Sequence, residues 1–299
     1  MRKKWSTEER KQIIYKYIGG ILKKYNMSEG LIDSCIAEQD AVDCLKNLYN
    51  GLYVIVNEKN NHPNKRRGAL TICPAIKGAL YDEGPKPMFI GRAVNGWCPI
   101  DSSMAEEDKG DFSKRIVRCE GCTLDWVNGE NVWDHCIKNG CIFANKERTD
   151  GRDKMSPFWQ MVKFIYEKQY NNRVEDKKWY KKVLWSNLYK ASFVSGGNPD
   201  RFYKEQVLIC NAILILEIIL YKPSAIYFIT EKNRKNGLKT RSWFCDKNYN
   251  TDENYQELYE FLANSEWKDK VFVLMRPEFQ NIENIWDQKE GLYIKGKGK

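Results

Sequence analysis

The chain has 299 residues, of which 42% are hydrophobic and 30% charged, and its formal net charge is +9. This balance is that of a folded domain and differs from the low hydrophobicity of a disordered chain. The longest apolar run, residues 212–221, contains Glu217 and falls short of the roughly 20 apolar residues needed to span a bilayer. Residues 1–4 are followed by a charged helical pattern, which differs from the apolar core of a signal peptide. We therefore expect a cytoplasmic protein that does not enter a membrane.

The excess of positive charge suits a polyanionic partner, because basic side chains that neutralise phosphates release the counterions bound to them. Many proteins that bind no polyanion are also mildly basic, so the charge narrows the class of partner without choosing it. Lys65, Arg66 and Arg67 lie together in a polar loop, residues 60–67. This run is either a solvated turn or a set of phosphate contacts.

The first part of the chain has a helical pattern. Apolar residues recur at helical spacing over residues 5–25, and Ser28 is an N-cap candidate for a second helical stretch that continues to Leu45. Residues 52–56 suit either a strand or the end of a helix. The pattern predicts a helical N-terminal extension, residues 1–84, packed on the core.

Strands and helices then alternate along the chain. The predicted strands are 88–91, 183–188, 225–230 and 271–275. Three helices are predicted: one that begins at Ser156, one from Asp200 to Tyr221 with one buried side, and one over residues 255–262. This alternation predicts a three-layer α/β/α domain with a central, mostly parallel sheet over residues 85–290. Residues 101–155 form a polar, cysteine-bearing insertion, and residues 291–299 form a basic tail.

The predicted site lies where two of these strands end. The strand 88–91 runs into a loop bounded by Gly91 and Gly96, and the strand 183–188 carries Ser186 and Asn187 near its end. Glycines permit a close approach of the backbone to a ligand. In an open α/β sheet ligands bind outside the carboxyl ends of the strands, so we expect a ligand site here.

Three segments in this order resemble the uracil-DNA glycosylase superfamily. They are the strand and glycine loop of residues 89–95, the asparagine-bearing strand and Gly-Asn-Pro loop of 183–199, and the helix, Lys-Pro and strand of 201–230. Residues 271–278, Val-Phe-Val-Leu-Met-Arg-Pro-Glu, look like the terminal strand and His-Pro-Ser motif of that superfamily. The resemblance covers residues 87–285 and lies in order and context more than in identities. It implies a uracil-DNA-glycosylase-like fold and a DNA glycosylase, which flips a base out of DNA and hydrolyses its N-glycosidic bond.

The chain departs from the superfamily in two motifs. The glycine of the first motif is normally followed within two residues by a catalytic Asp, Glu or Asn, whereas Gly91 is followed by Arg92 and Ala93. The His of the last motif is replaced by Arg276. These departures favour a modified or non-standard base over ordinary uracil, with a role in repair or in defence against phages that carry modified DNA.

The resemblance also assigns roles to candidate catalytic residues. Arg276 is placed to stabilise the anionic leaving base or, as an alternative, to hold a DNA phosphate. Asn95 is the leading candidate for steadying the sugar cation or positioning water, and Asp101 and Asp125 are candidates for activating water. Each acid also has the ordinary alternative of being a surface residue.

Other candidates would bind the base or the DNA. Asn187 corresponds to the strand-end Asn that hydrogen-bonds the extruded base, because an amide offers both a donor and an acceptor; its alternative role is a structural strand-end cap. Phe158 matches the stacking Phe in context, although an aromatic residue at a helix start is equally typical of a core. The other base-binding candidates are Gly91, Arg92 and Trp97, and the other DNA-binding candidates are Lys65, Arg66, Arg67, Asn198 and Phe279, the last as an apolar wedge.

Ten cysteines in an intracellular chain indicate free thiols or a metal site. Cys119, Cys122, Cys136 and Cys141 have a spacing that suits zinc or an iron–sulfur cluster, although reduced cysteines in an unusual insertion explain it as well. Some members of the superfamily hold a four-iron cluster, with cysteines at other positions. We expect no cofactor to be required for the reaction.

Two other classes of function stay open. The first is a non-catalytic nucleic-acid-binding protein on the same fold, which the missing carboxylate of the first motif supports. The second is an enzyme that acts on a nucleotide or nucleoside, which the basic segments, among them residues 232–241, weigh against. In the favoured reading the partner is DNA and the protein is a monomer.

Overall fold

The computed structural model describes residues 12, 14–20, 23, 41–60, 70–93, 156–170, 178–193, 203–231, 255–277, 282–287 and 290–291. The strands in these ranges are β1 (Leu70–Ile72), β2 (Ile76–Lys77), β3 (Pro87–Ala93), β4 (Leu184–Tyr189), β5 (Ala191–Phe193), β6 (Ala225–Glu231), β7 (Val271–Met275) and β8 (Glu290–Gly291). The α-helices are α1 (Ala41–Asn60), α2 (Pro157–Tyr170), α3 (Tyr203–Tyr221), α4 (Gln256–Ala263) and α5 (Ile282–Asp287).

The main sheet has the strand order β2-β4-β3-β6-β7-β8. Its four inner strands, β4, β3, β6 and β7, are parallel, and the two-residue strands β2 and β8 pair antiparallel at its edges. A separate antiparallel pair is formed by β1 and β5. The predicted central, mostly parallel sheet is confirmed, and all four predicted strands belong to it. Every side chain of β4 is buried, as expected for a strand covered on both faces.

Helices cover both faces of the sheet. On one face α3 packs on the strands, and α1 and α4 pack against α3. On the other face α2 and α5 cover a core that includes Phe89, Trp185 and Tyr227. Phe89, Tyr227 and Phe272 lie opposite one another on neighbouring strands and stack across the sheet, with ring centroids 5.0 and 5.2 Å apart. The predicted α/β/α layering is thus present in the described part of the chain.

The first 84 residues are helical only in part where they are described. Residues 14–19 form one turn of π-helix, and α1 includes residues 52–56, so the helical alternative is right for that segment. Residues 70–72 and 76–77 form strands, of which β2 extends the main sheet beside β4. In the described ranges, no helix has both the length and the apolar character to cross a membrane.

Candidate functional site

The carboxyl ends of β3 and β4 lie side by side in the sheet. The next described helix after β3 is α2, on one face of the sheet, and the next after β4 is α3, on the other. Ligands of open α/β sheets bind outside the carboxyl ends of the strands, which is the edge where β3 and β4 both end. The predicted site residues Gly91 and Asn187 are register partners at this point.

Asn187 and Phe158 both lie against Gly91. A Cβ atom built on Gly91 would lie 2.7 Å from Asn187 Oδ1 and 3.3 Å from Phe158 Cε2. The lack of a side chain at Gly91 therefore lets the Asn187 amide and the Phe158 ring lie over the backbone of β3. Three of the predicted base-binding residues, which are far apart in sequence, are brought together here.

Asn187 is a buried polar residue of the site. Asn187 is 2% exposed, and its Nδ2 atom has no hydrogen-bond partner among the described residues. A buried donor without an acceptor costs free energy, on the order of 1–3 kcal/mol. An acceptor brought in by a ligand would recover this free energy.

Aromatic side chains form the inner wall of the site. Phe158 is half-buried at the start of α2, where Trp159 N lies 3.5 Å from Ser156 Oγ, as expected of a serine N-cap. The Trp159 ring meets Phe158 edge-on at a centroid distance of 5.2 Å and meets Trp185 at 5.5 Å. Trp185 precedes Asn187 by two residues on the same face of β4. A planar ligand that enters the crevice would therefore meet Phe158 with closely packed tryptophans behind it.

Arg276 lies at the same edge of the sheet but is not adjacent to Asn187. Ser186, Ile90, Phe228 and Val273 are register partners across β4, β3, β6 and β7, so Ser186 and Val273 are separated by three strand spacings, roughly 14 Å. Arg276 directly follows the end of β7, and Leu274, two residues before it, packs in the core under α2. Arg92 is half-buried at the end of β3, and by alternation it has the face opposite to that of Gly91.

A buried polar cluster lies on the other face of β4, directly behind Asn187. We call Ser186, Lys190, Glu217 and Tyr49 the Glu217 cluster. Lys190 and Glu217 are both 0% exposed, and Lys190 Nζ donates to Glu217 Oε1 and Oε2 at 2.9 and 2.7 Å and also to Ser186 Oγ. Ser186 Oγ donates to Glu217 Oε2 at 2.7 Å, and Tyr49 OH donates to Glu217 Oε1 at 2.8 Å. Burial, followed by the charge of Glu217, raises the pKa of Tyr49 well above its usual value.

A second set of contacts holds the junction between β4 and β5 to α3. The Lys190 backbone N–H donates to Cys210 Sγ at 3.4 Å, and the Gln206 side chain bonds both backbone groups of Ala191 at 2.9 and 3.0 Å. Burial raises the pKa of the Cys210 thiol to about 12, so it is not a reactive thiolate at neutral pH. Sequence patterns did not reveal these roles; the one signal was the presence of Glu217 inside an apolar run.

The remaining candidates lie outside the described residues. They are Asn95, Trp97, Asp101, Asp125, Lys65, Arg66, Arg67, Asn198, Phe279 and the four insertion cysteines, Cys119, Cys122, Cys136 and Cys141. Within the ranges that the structure describes, no group of three or more His, Cys, Asp or Glu side chains is arranged to hold a metal ion.

Comparison of the chain with models of protein families, with curated proteins and with solved structures finds no match in any of the three. The basis for assigning a function is therefore the site itself, with its asparagine and aromatic side chains near the carboxyl ends of β3 and β4.

Proposed function

We propose that this protein is a DNA glycosylase with the fold of the uracil-DNA glycosylase superfamily. It would flip a modified or non-standard base out of DNA and hydrolyse the N-glycosidic bond, leaving an abasic site. The observation that carries the proposal is the buried Asn187 amide, whose Nδ2 has no partner in the described part of the chain and which lies against Gly91 near the carboxyl ends of β3 and β4.

The geometry around Asn187 suits an extruded base. An amide can donate to one atom of a base edge and accept from the next, and Phe158 offers a ring on which the base can stack. A base inside a duplex cannot reach a crevice at a sheet edge, so it must leave the helix, which costs a few kcal/mol of unstacking. The new hydrogen bonds to Asn187 and the stacking on Phe158 would offset part of that cost.

The chemistry separates charge across the bond that breaks. As the bond between the sugar C1′ and the base nitrogen breaks, the base gains negative charge and the sugar gains positive charge, and water then adds to C1′. Arg276 would stabilise the departing base as a permanent cation, reaching across the carboxyl edge with its long side chain. Asn95, four residues after Gly91, would steady the sugar cation or the water, and Asp101 or Asp125 would activate the water.

The partner, the cofactor requirement and the biological role can be proposed from the same reaction. The net charge of +9 supports binding of the DNA phosphates, and hydrolysis by water needs no cofactor. We propose that the protein acts as a cytoplasmic monomer in repair or in defence against phages with modified DNA. Zinc or an iron–sulfur cluster in the cysteine insertion would have a structural role.

One observation favours a second candidate function, a non-catalytic nucleic-acid-binding protein on the same fold. The two positions after Gly91 carry Arg92 and Ala93, where a catalytic acid or amide would be expected. In that case Asn187 would still bind a base, but the N-glycosidic bond would stay intact.

Incubation with DNA separates these functions. Duplex and single-stranded oligonucleotides that each carry a different base are incubated with the protein, treated with alkali, and analysed for strand breaks and for free base by mass spectrometry. The proposal predicts alkali-labile sites and free base from at least one modified DNA. Tight binding without release of any base would favour the non-catalytic protein, and release from free nucleosides alone would point to a nucleoside enzyme.

A further inference from the structure

A contribution to stability alone does not explain why the Glu217 cluster contains buried charges. A buried ion pair pays a large desolvation cost, and its replacement by apolar side chains of similar volume is often neutral or stabilising. The cluster is nevertheless well satisfied, because Glu217 accepts hydrogen bonds from Lys190, Ser186, Tyr49 and the Ala75 backbone N–H. Such a network favours one arrangement of the elements that it joins. Those elements are α1, the segment before β2, β4 and α3.

The cluster holds β4 on both sides of Asn187. Ser186 immediately precedes Asn187 and Lys190 follows it by three residues, and both side chains bond Glu217 on the α3 face. Asn187 lies on the opposite face of β4, against Gly91. Displacement of this part of β4 would thus move the amide relative to β3.

The fit of Asn187 on Gly91 leaves little tolerance. The space that a Cβ at Gly91 would occupy is only 2.7 Å from Asn187 Oδ1, so the amide sits where a side chain on β3 would otherwise be. A group that reads a base must be held to within about 0.5 Å, and such precision comes from the residues behind it.

We propose that Glu217 is a positioning residue, which acts through Ser186 and Lys190 to hold the Asn187 amide in its base-reading position. The proposal rests on the proposed function for the role of the amide, but the anchoring itself can be measured without DNA. Glu217 does not touch the base; its effect on the reaction passes through β4.

Two single-hydroxyl deletions test the anchoring. Ser186→Ala removes the hydrogen bond from β4 to Glu217, and Tyr49→Phe removes the bond that the same carboxylate accepts from α1. Both variants lose one buried hydroxyl, so a purely structural cluster would respond to both in the same way. Positioning predicts that only Ser186→Ala affects Asn187.

The first measurement is the NMR order parameter of the Asn187 side-chain amide in the DNA-free full-length protein. Its signal is identified by its absence in Asn187→Asp. We expect a rigid amide in the wild type and in Tyr49→Phe, and a fall towards the flexible range, below about 0.6, in Ser186→Ala. An unchanged order parameter in Ser186→Ala, or an equal fall in Tyr49→Phe, would overturn the proposal.

The second measurement is base release in a single turnover from labelled duplexes that carry uracil or hydroxymethyluracil. Ser186→Ala should slow release by on the order of 10- to 100-fold, with DNA affinity unchanged, because a small misplacement affects the reaction more than the phosphate contacts. Full-rate release by Ser186→Ala would overturn the positioning role. If the wild type releases neither base, the proposed function loses support on these probes, and the order parameter alone decides the anchoring.

Discussion

Removal of either partner of the buried ion pair should destabilise the protein, and removal of Glu217 should cost more unfolding free energy than removal of Lys190. In Lys190→Met, the Glu217 carboxylate keeps three donors, namely Tyr49 OH, Ser186 Oγ and the Ala75 N–H. In Glu217→Leu, the Lys190 ammonium keeps only the Ser186 hydroxyl as an acceptor among the described residues. A buried charge without its counter-ion costs roughly 3–5 kcal/mol, whereas a charge that keeps several hydrogen bonds loses less, about 1–3 kcal/mol.

These free energies are large enough to measure by melting. At about 2–4 °C per kcal/mol for a chain of this size, Glu217→Leu should lower Tm by roughly 6–20 °C, and Lys190→Met by about half as much or less. The double variant should be less destabilised than the sum of the two, because it leaves no buried charge without its partner. Urea unfolding followed by circular dichroism gives the four free energies of the cycle. Two results would refute this explanation of the cluster. One is a larger loss of unfolding free energy in Lys190→Met than in Glu217→Leu, and the other is a loss in the double variant equal to the sum of the two single losses.

Three further predictions concern the site and the core. Gly91→Ala should fold but lose base release, because the new methyl would lie 2.7 Å from Asn187 Oδ1. Gly20→Ala, whose new methyl meets no atom of the described residues within 4 Å, should behave as wild type in the same release assay. Arg276→Ala should lower the single-turnover rate and leave DNA affinity nearly unchanged; a full rate with a salt dependence shallower by about one counterion would assign Arg276 to a phosphate. The Cys210 pKa is raised from 9.0 to about 12 in the folded protein, so the folded state binds more protons between these values. Its stabilising contribution should therefore be complete below pH 9 and decrease towards pH 12, and Cys210→Ala should flatten this decline in urea unfolding at several pH values.

The central strands could be predicted because each is a short run of mostly apolar residues, interrupted within β4 by Ser186 and Asn187. Burial on both faces gives β3, β4, β6 and β7 this composition, and the alternation with helices indicates a parallel sheet. The edge strands β2 and β8 have two residues each, which is too short for any periodicity.

The environment of α3 could not be predicted in the same way. Its pattern indicated one buried side, but the structure buries every residue from Gln206 to Ile219, because α1 and α4 pack on the side away from the sheet. Glu217 therefore points into a core, and its partner Lys190 is 27 residues away in sequence. No local pattern reports a contact across that separation.

The meeting of Gly91 and Asn187 could be predicted because strand ends in a parallel sheet share one edge. The sequence did not indicate that Ser186 and Asn187 have different tasks. Alternation along β4 directs Ser186 to Glu217 and Asn187 to the crevice, and this division becomes clear only when the partner of each face is known.

The most direct test of the central claim is base release by Asn187→Ala, beside Asn264→Ala as the matched change at an exposed position after α4. Both variants and the wild type, each in excess over the DNA, are incubated with the modified DNA from which the wild type releases a base, and the free base formed in a single turnover is measured. DNA affinity is measured separately. We expect Asn187→Ala to lose release by at least about 100-fold, with affinity within a few-fold of wild type, because phosphate contacts supply most of the affinity. Asn264→Ala should match the wild type. Release at the full rate by Asn187→Ala would contradict the role of this amide as the base reader.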